Sequence, residues 1–99
     1  LPETYWTVRW PDGAEEALYS PSSVVAELFE PGRSYPAPEF RRRARTALER
    51  ASERVRQSYG FACSAAMEEL GRIETRLDRL DDPGAEILCL TLSTGGPRT

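Results

Sequence analysis

The 99 residues carry 29% charged and 39% hydrophobic side chains with a formal net charge of −3, ordinary globular values that argue against wholesale disorder. A chain of this length holds one modest core, hiding about 60–70% of its unfolded surface. His and Lys are both absent, so all 13 basic residues are Arg, which removes the usual general base, the commonest metal ligand, Schiff-base chemistry and a P-loop lysine.

The charge is unevenly spread. Residues 1–32 hold one Arg against six acids, residues 33–56 eight Arg against three Glu, and residues 57–99 four Arg against seven acids. A basic island therefore sits between acidic flanks. No apolar run approaches the ~20 residues a membrane span needs, and Cys63 and Cys89 form no CxxC pair. The expectation is a soluble cytoplasmic protein with free thiols and no cofactor.

Residues Tyr5 to Trp10 alternate and are rich in β-formers, with Trp6, Val8 and Trp10 on one face, which predicts a strand. Pro11-Asp12-Gly13 makes a turn, and Glu15 to Tyr19 returns as the second strand of a hairpin. Ser20 then reads as a helix cap with Pro21 at the first helical position. The short helix it opens runs to about Phe29, burying Val24 or Val25 with Leu28, and Glu30-Pro31-Gly32 ends it. Two prolines make Ser34 to Pro38 an extended, stiff connector.

From Pro38 the apolar positions Phe40, Ala44, Ala47, Leu48, Ala51, Val55 and Tyr59 fall in an arc about 120° wide at the helical period. Gly60 stands where a left-handed cap ends that helix. A second stripe, Ala62, Ala66, Leu70, Ile73, Leu77 and Leu80, predicts a second helix, capped by Ser64 with Glu68 and Glu69 in its first turn. The short link makes the pair an antiparallel αα-hairpin. Past Asp81-Asp82-Pro83-Gly84, the alternation from Glu86 to Leu92 puts Leu88, Leu90 and Leu92 on one side of a third, C-terminal strand. The fold class is thus α+β, a single domain over residues 1–93 with a disordered tail at 94–99. The core anchors are Trp6, Trp10, Phe40, Leu48, Val55, Phe61, Leu70, Ile73 and Leu77.

Two constellations could carry function. Arg41, Arg42, Arg45, Arg50 and Arg54 form a candidate partner surface on the long helix. Arg42 shares the outer face with Glu39, Glu49 and Glu53, and such mixed sign suits a solvated or protein-facing helix better than a nucleic-acid groove. Cys63, at the start of the second helix, is a candidate reactive thiol, since the helix dipole lowers a thiol pKa there. The competing reading is a small residue buried at a tight helix junction. The adjacent acid pairs Glu15-Glu16, Glu68-Glu69 and Asp81-Asp82 point their side chains apart and receive no catalytic role.

The run of signatures Val8-Arg9-Trp10-Pro11-Asp12-Gly13, Tyr19-Ser20-Pro21-Ser22, Glu30-Pro31-Gly32 with Tyr35-Pro36, and Tyr59-Gly60-Phe61-Ala62-Cys63-Ser64-Ala65 resembles the small bacterial nitrogen starvation response protein family. Its members are encoded beside a nitrilase, a radical-SAM protein, an acetyltransferase-like protein and a flavoprotein. The likeness covers roughly residues 5–80, and the segment from Asp81 to Thr99 extends past the usual family end. It implies a role in nitrogen acquisition, through nitrile or cyanide assimilation by the neighbouring nitrilase. It does not make this chain the nitrilase, whose chemistry needs a Lys beside Cys and Glu. The expected function is a non-enzymatic accessory protein that binds a nitrilase-cluster protein, or a second copy of itself as a homodimer. The alternatives are a reactive-thiol protein acting through Cys63 and, less favoured, a small nucleic-acid-binding regulator.

Overall fold

A computed structural model describes residues 3–60, 64–82 and 84–94. The elements in chain order are β1 (Thr4–Arg9), β2 (Glu15–Ser20), α1 (Val25–Leu28), β3 (Ser34–Pro36), α2 (Ala37–Tyr59), α3 (Ser64–Asp78) and β4 (Glu86–Thr94). The strands form one antiparallel sheet in the order β2-β1-β4-β3, with the helices packed on one of its faces. The fold class is α+β, and the sheet is one strand larger than the sequence suggests.

The hairpin forms as its residues dictate. Gly13 takes φ of 91° in the turn, and Asp12 Oδ1 accepts the N–H of Ala14 at 3.0 Å, an Asx-type bond that makes Asp a good turn residue. Trp6, Val8 and Trp10 turn inward and are buried. β4 lies beside β1 at the centre of the sheet.

Ser20 does not cap a helix. It is the last residue of β2, and its hydroxyl is engaged with Ser22, accepting the Ser22 N–H at 3.3 Å and donating to the Ser22 carbonyl at 3.1 Å. A short hydroxyl that closes its own turn cannot also cap. The helix α1 is therefore only four residues long and starts at Val25, with Val24 before it and no side-chain cap. Val24 and Val25 are both buried, while Leu28 is half-buried.

The stiff connector contains β3. Tyr35 points into the core between exposed Ser34 and Pro36, pairing with Ile87 of β4. Proline is tolerated there because β3 is an edge strand. α2 begins at Ala37 with Pro38 in its first turn, where a missing N–H costs nothing. It ends at Gly60, whose φ of 84° is the left-handed cap. Phe40, Ala44, Ala47, Leu48, Ala51 and Val55 are buried as their spacing predicts, but Tyr59 is 58% exposed.

In α3 the stripe Ala66, Leu70, Ile73 and Leu77 is buried. Ser64 is the first helical residue rather than the one before it, and the first turn holds no acid. Ala62 and Phe61 lie outside the described residues. Alanines at 44, 47, 51 and 66, all fully buried, let the two helices approach closely.

β4 departs most from its sequence pattern. Its register against β1 shifts between Thr7 and Val8, so that Cys89 faces Val8, Thr91 faces Thr7 and Leu92 faces Trp6. Leu90 is the extra residue of a β-bulge, which switches the side on which alternate residues fall. Ile87 and Cys89 are buried and Leu92 packs against the core, while Leu88 lies on the other side. The three leucines do not share a face. Thr94, assigned from sequence to the tail, is the last residue of β4, and residues 95–99 lie outside the described set.

The core between sheet and helices is aromatic. Phe29 sits at its middle, 5.8 Å from the Trp6 ring, 5.2 Å from Tyr35 and 5.1 Å from Phe40, and Trp10 meets Phe40 edge-on at 5.8 Å. Such stacked, tilted and edge contacts contribute beyond area burial, about 0.5–1.5 kcal/mol per pair. All the core anchors that fall among the described residues are buried.

Candidate functional site

The long helix α2 carries the basic island, and its arginines divide by what they touch. Arg41 reaches across to α3, with Nη2 at 2.5 Å from Asp78 Oδ1 and Nη1 at 3.6 Å from Glu74 Oε2. One turn on, Arg45 meets the same Glu74 at 2.5 Å and Glu49 of its own helix at 3.6 Å. These two residues lace α2 to α3. Arg43 works inward: it bonds Glu39 at 2.8 Å and the Leu28 carbonyl at 2.8 Å, and its guanidinium lies 5.0 Å over the Tyr35 ring. Arg56 pairs with Glu53, which holds the Glu53 carboxyl below its usual pKa and raises that of the guanidinium.

Arg42, Arg50 and Arg54 are exposed, and among the described residues none of them makes an ion pair, side-chain hydrogen bond or ring contact. From Arg42 to Arg54 the helix rises about 18 Å. Of the five arginines singled out from sequence, these three remain as a surface and Arg41 and Arg45 belong to the helix–helix joint.

A second polar network was not legible in the sequence. Trp10 donates its indole N–H to Glu16 Oε1 at 2.9 Å, and Glu16 also accepts from Arg72. Arg72 bonds Glu69 through Nε at 2.9 Å, and the other oxygen of Glu69 accepts the backbone N–H of Tyr19 at 2.7 Å. The paired carboxylates of Glu16 and Glu69 push the Arg72 pKa up. Arg76 lies 4.9 Å over the Trp10 ring and reaches Asp12 Oδ2 at 2.7 Å. The Asp12 carboxyl is held below its usual range, first by the Ala14 N–H and then by Arg76. Partners 50 to 64 residues apart give no local signal; only the i, i+4 spacing of Arg72 and Arg76 hints at one basic face.

Cys63 lies outside the described residues. Cys89 is a free thiol buried in the core, and burial raises its pKa, the opposite of what a nucleophile needs. Among the described residues no group of three or more His, Cys, Asp or Glu could hold a metal ion, and no helix is long and apolar enough to cross a membrane.

Comparison with curated proteins and with solved structures found no match. The family model of the nitrogen starvation-induced protein NitG matches residues 5–92. That span runs past Asp81 and takes in most of β4, so the C-terminal strand lies within the family's extent rather than beyond it. The signatures of the hairpin, the connector and the helix junction lie inside the same span, and the chain belongs to the NitG family of nitrogen starvation-induced proteins.

Proposed function

We propose that this chain is a non-enzymatic accessory protein of the nitrogen starvation response that binds an acidic surface on a protein partner through the exposed arginines of α2. The partner is a product of the nitrilase gene cluster, and the purpose of the contact is support of nitrile or cyanide assimilation. The observation that carries this is the division of the α2 arginines. Arg41, Arg43, Arg45 and Arg56 are matched by acids of the same chain, whereas Arg42, Arg50 and Arg54 present exposed cations that have no such partner among the described residues. Planar guanidinium groups suit bidentate carboxylate recognition, and exposed cations speed encounter with an acidic surface.

The test is capture from nitrogen-starved cells with the wild-type chain and with a triple variant, Arg42→Glu, Arg50→Glu and Arg54→Glu. The wild type is expected to retain a nitrilase-cluster protein in a salt-sensitive manner, and the triple variant to lose it while melting normally. Capture of the same protein by both chains overturns the assignment of the surface; capture of none by the wild type overturns the partner.

A further inference from the structure

We infer that the cleft between α3 and β2 binds a phosphate group, free or carried on a small ester. This goes beyond the partner-binding reading and rests on a different helix. The cleft has a volume of about 400 Å³ and is lined by Glu16 of β2 and by Gly71, Arg72, Thr75, Arg76 and Arg79. That volume lies within the roughly 300–1,000 Å³ of small-molecule sites, which leaves room for a carrier beside the phosphate. Its one carboxylate is already spent. Glu16 Oε1 accepts the Trp10 indole N–H, and Oε2 accepts from Arg72.

What the lining still offers is donors. Arg72 has given three N–H groups to Glu16 and Glu69, and Arg76 one to Asp12. Arg79, exposed just past the end of α3, gives no side-chain N–H to any described residue. A guanidinium carries five N–H donors and no acceptor, so Arg76 keeps most of its donors and Arg79 all of them, beside the exposed hydroxyl of Thr75. Such a wall selects a ligand made only of acceptors, an oxyanion. Phosphate fits it better than carboxylate because the donors come from separate points: Arg72 and Arg76 lie about one helical turn apart, with Arg79 about 4.5 Å further along the axis. A planar carboxylate takes one guanidinium fork, whereas a tetrahedral phosphate keeps oxygens for a second.

The site is braced in advance. Glu16 and Glu69 hold Arg72, and Arg76 is fixed by Asp12 and by the Trp10 ring 4.9 Å from its guanidinium. Two of the three cations are thus ordered before a ligand arrives, and only Arg79 loses side-chain freedom on binding. The bracing carboxylates and the carboxyl end of α3 offset most of the gross positive charge. Selection therefore rests on short-range hydrogen bonds, which favours a compact ligand over a long polyanion, whose affinity comes from uncompensated cations.

NMR titration of the isotope-labelled full chain with inorganic phosphate, glycerol phosphate, acetate and sodium chloride at matched ionic strength tests this. A phosphate probe is expected to saturate and to move the signals of Gly71, Thr75 and Arg79, while acetate and chloride do not. Saturation by glycerol phosphate at the lower concentration assigns the ester, and saturation by inorganic phosphate at the lower concentration assigns the free ion. Arg79→Gln has no side-chain bond to a described residue to lose, so it is expected to melt normally and to weaken binding at least about tenfold. Should it fail to fold, Thr75→Val takes its place with the same expected direction. A combined Arg42→Gln, Arg50→Gln and Arg54→Gln variant removes more charge from α2 and is expected to bind phosphate as the wild type does. No saturation by either phosphate probe, equal binding of acetate, undiminished binding by the folded cleft variant, or equal weakening by the α2 variant overturns the proposal.

Discussion

Trp10 and Glu16 are joined by an indole N–H to carboxylate bond of 2.9 Å, and through the same Glu16 carboxylate the hairpin is tied to Arg72 of α3. Trp6, on the same inward face of the hairpin beyond Val8, is fully buried and its indole N–H has no acceptor among the described residues. The two tryptophans are equal in volume and opposite in polar satisfaction. A hydrogen bond to a charged acceptor is worth about 1.5–3 kcal/mol, and an unsatisfied buried donor costs about 1–3 kcal/mol. Trp10→Phe loses the first, whereas Trp6→Phe relieves the second. Urea unfolding is expected to show Trp10→Phe less stable than Trp6→Phe by about 2 kcal/mol or more; equal losses refute the distinction.

Glu69 protects an exposed sheet edge. β2 is an edge strand, and the outward N–H of Tyr19 is taken by Glu69 rather than by water. Edges left open invite pairing with another chain. Glu69→Ala frees this N–H and leaves Arg72 with Glu16 alone, an expected loss of about 1.5–3 kcal/mol. Hydrogen exchange reads the cause directly: the Tyr19 amide is slow in the wild type and is expected to exchange far faster in the variant.

What the sequence reveals of this fold is what is encoded locally. The Trp6-Val8-Trp10 alternation, the apolar arc of α2 and the Gly60 cap each depend on neighbours within a turn or two, and each appears as its residues predict. The misreadings concern competition between local bonds or pairing at a distance. Ser20 satisfies Ser22 in place of a helix, β3 exists only because β4 pairs with it, and one bulged residue reverses the leucines of β4. The candidate surface divides in the same way. Helical position places Arg41 and Arg45 beside Arg42 on paper, but Glu74 and Asp78 of α3 claim the first two. Phe29, at the centre of the aromatic core, lies just past the end of a four-residue helix, where no periodicity marks it.

Two glycines with equal free space are expected to respond oppositely to a methyl group. A Cβ at Gly60 or at Gly71 meets nothing within 4 Å. Gly60 has φ of 84°, so Gly60→Ala forces an L residue into the left-handed region at a cost of about 1–2 kcal/mol. Gly71 lies inside α3 with no positive φ. Gly71→Ala is expected to stabilise by about 0.5–1 kcal/mol, because Gly is the poorer helix former. Thermal melts of the two variants should move in opposite directions, and a shift of the same sign in both contradicts the backbone account.

Cys89 supplies a pH-dependent contribution whose sign follows from its burial. Desolvation raises its thiol pKa in the folded chain, so the native state keeps the proton at pH values where the unfolded chain releases it. The stability this confers is complete below the ordinary thiol pKa, about 8.5, and is lost as pH rises from there through the raised folded value. Cys89→Ala deletes the titration and leaves a small cavity, costing about 1 kcal/mol at neutral pH. The gap in stability between wild type and variant is therefore expected to narrow as pH rises from about 8.5 towards 10. A gap that stays constant over that range shows that the thiol ionises alike in both states. Alkylation gives the same answer by another route: Cys89 is expected to react at the rate of unfolding, since a buried thiol presents no thiolate until the sheet opens.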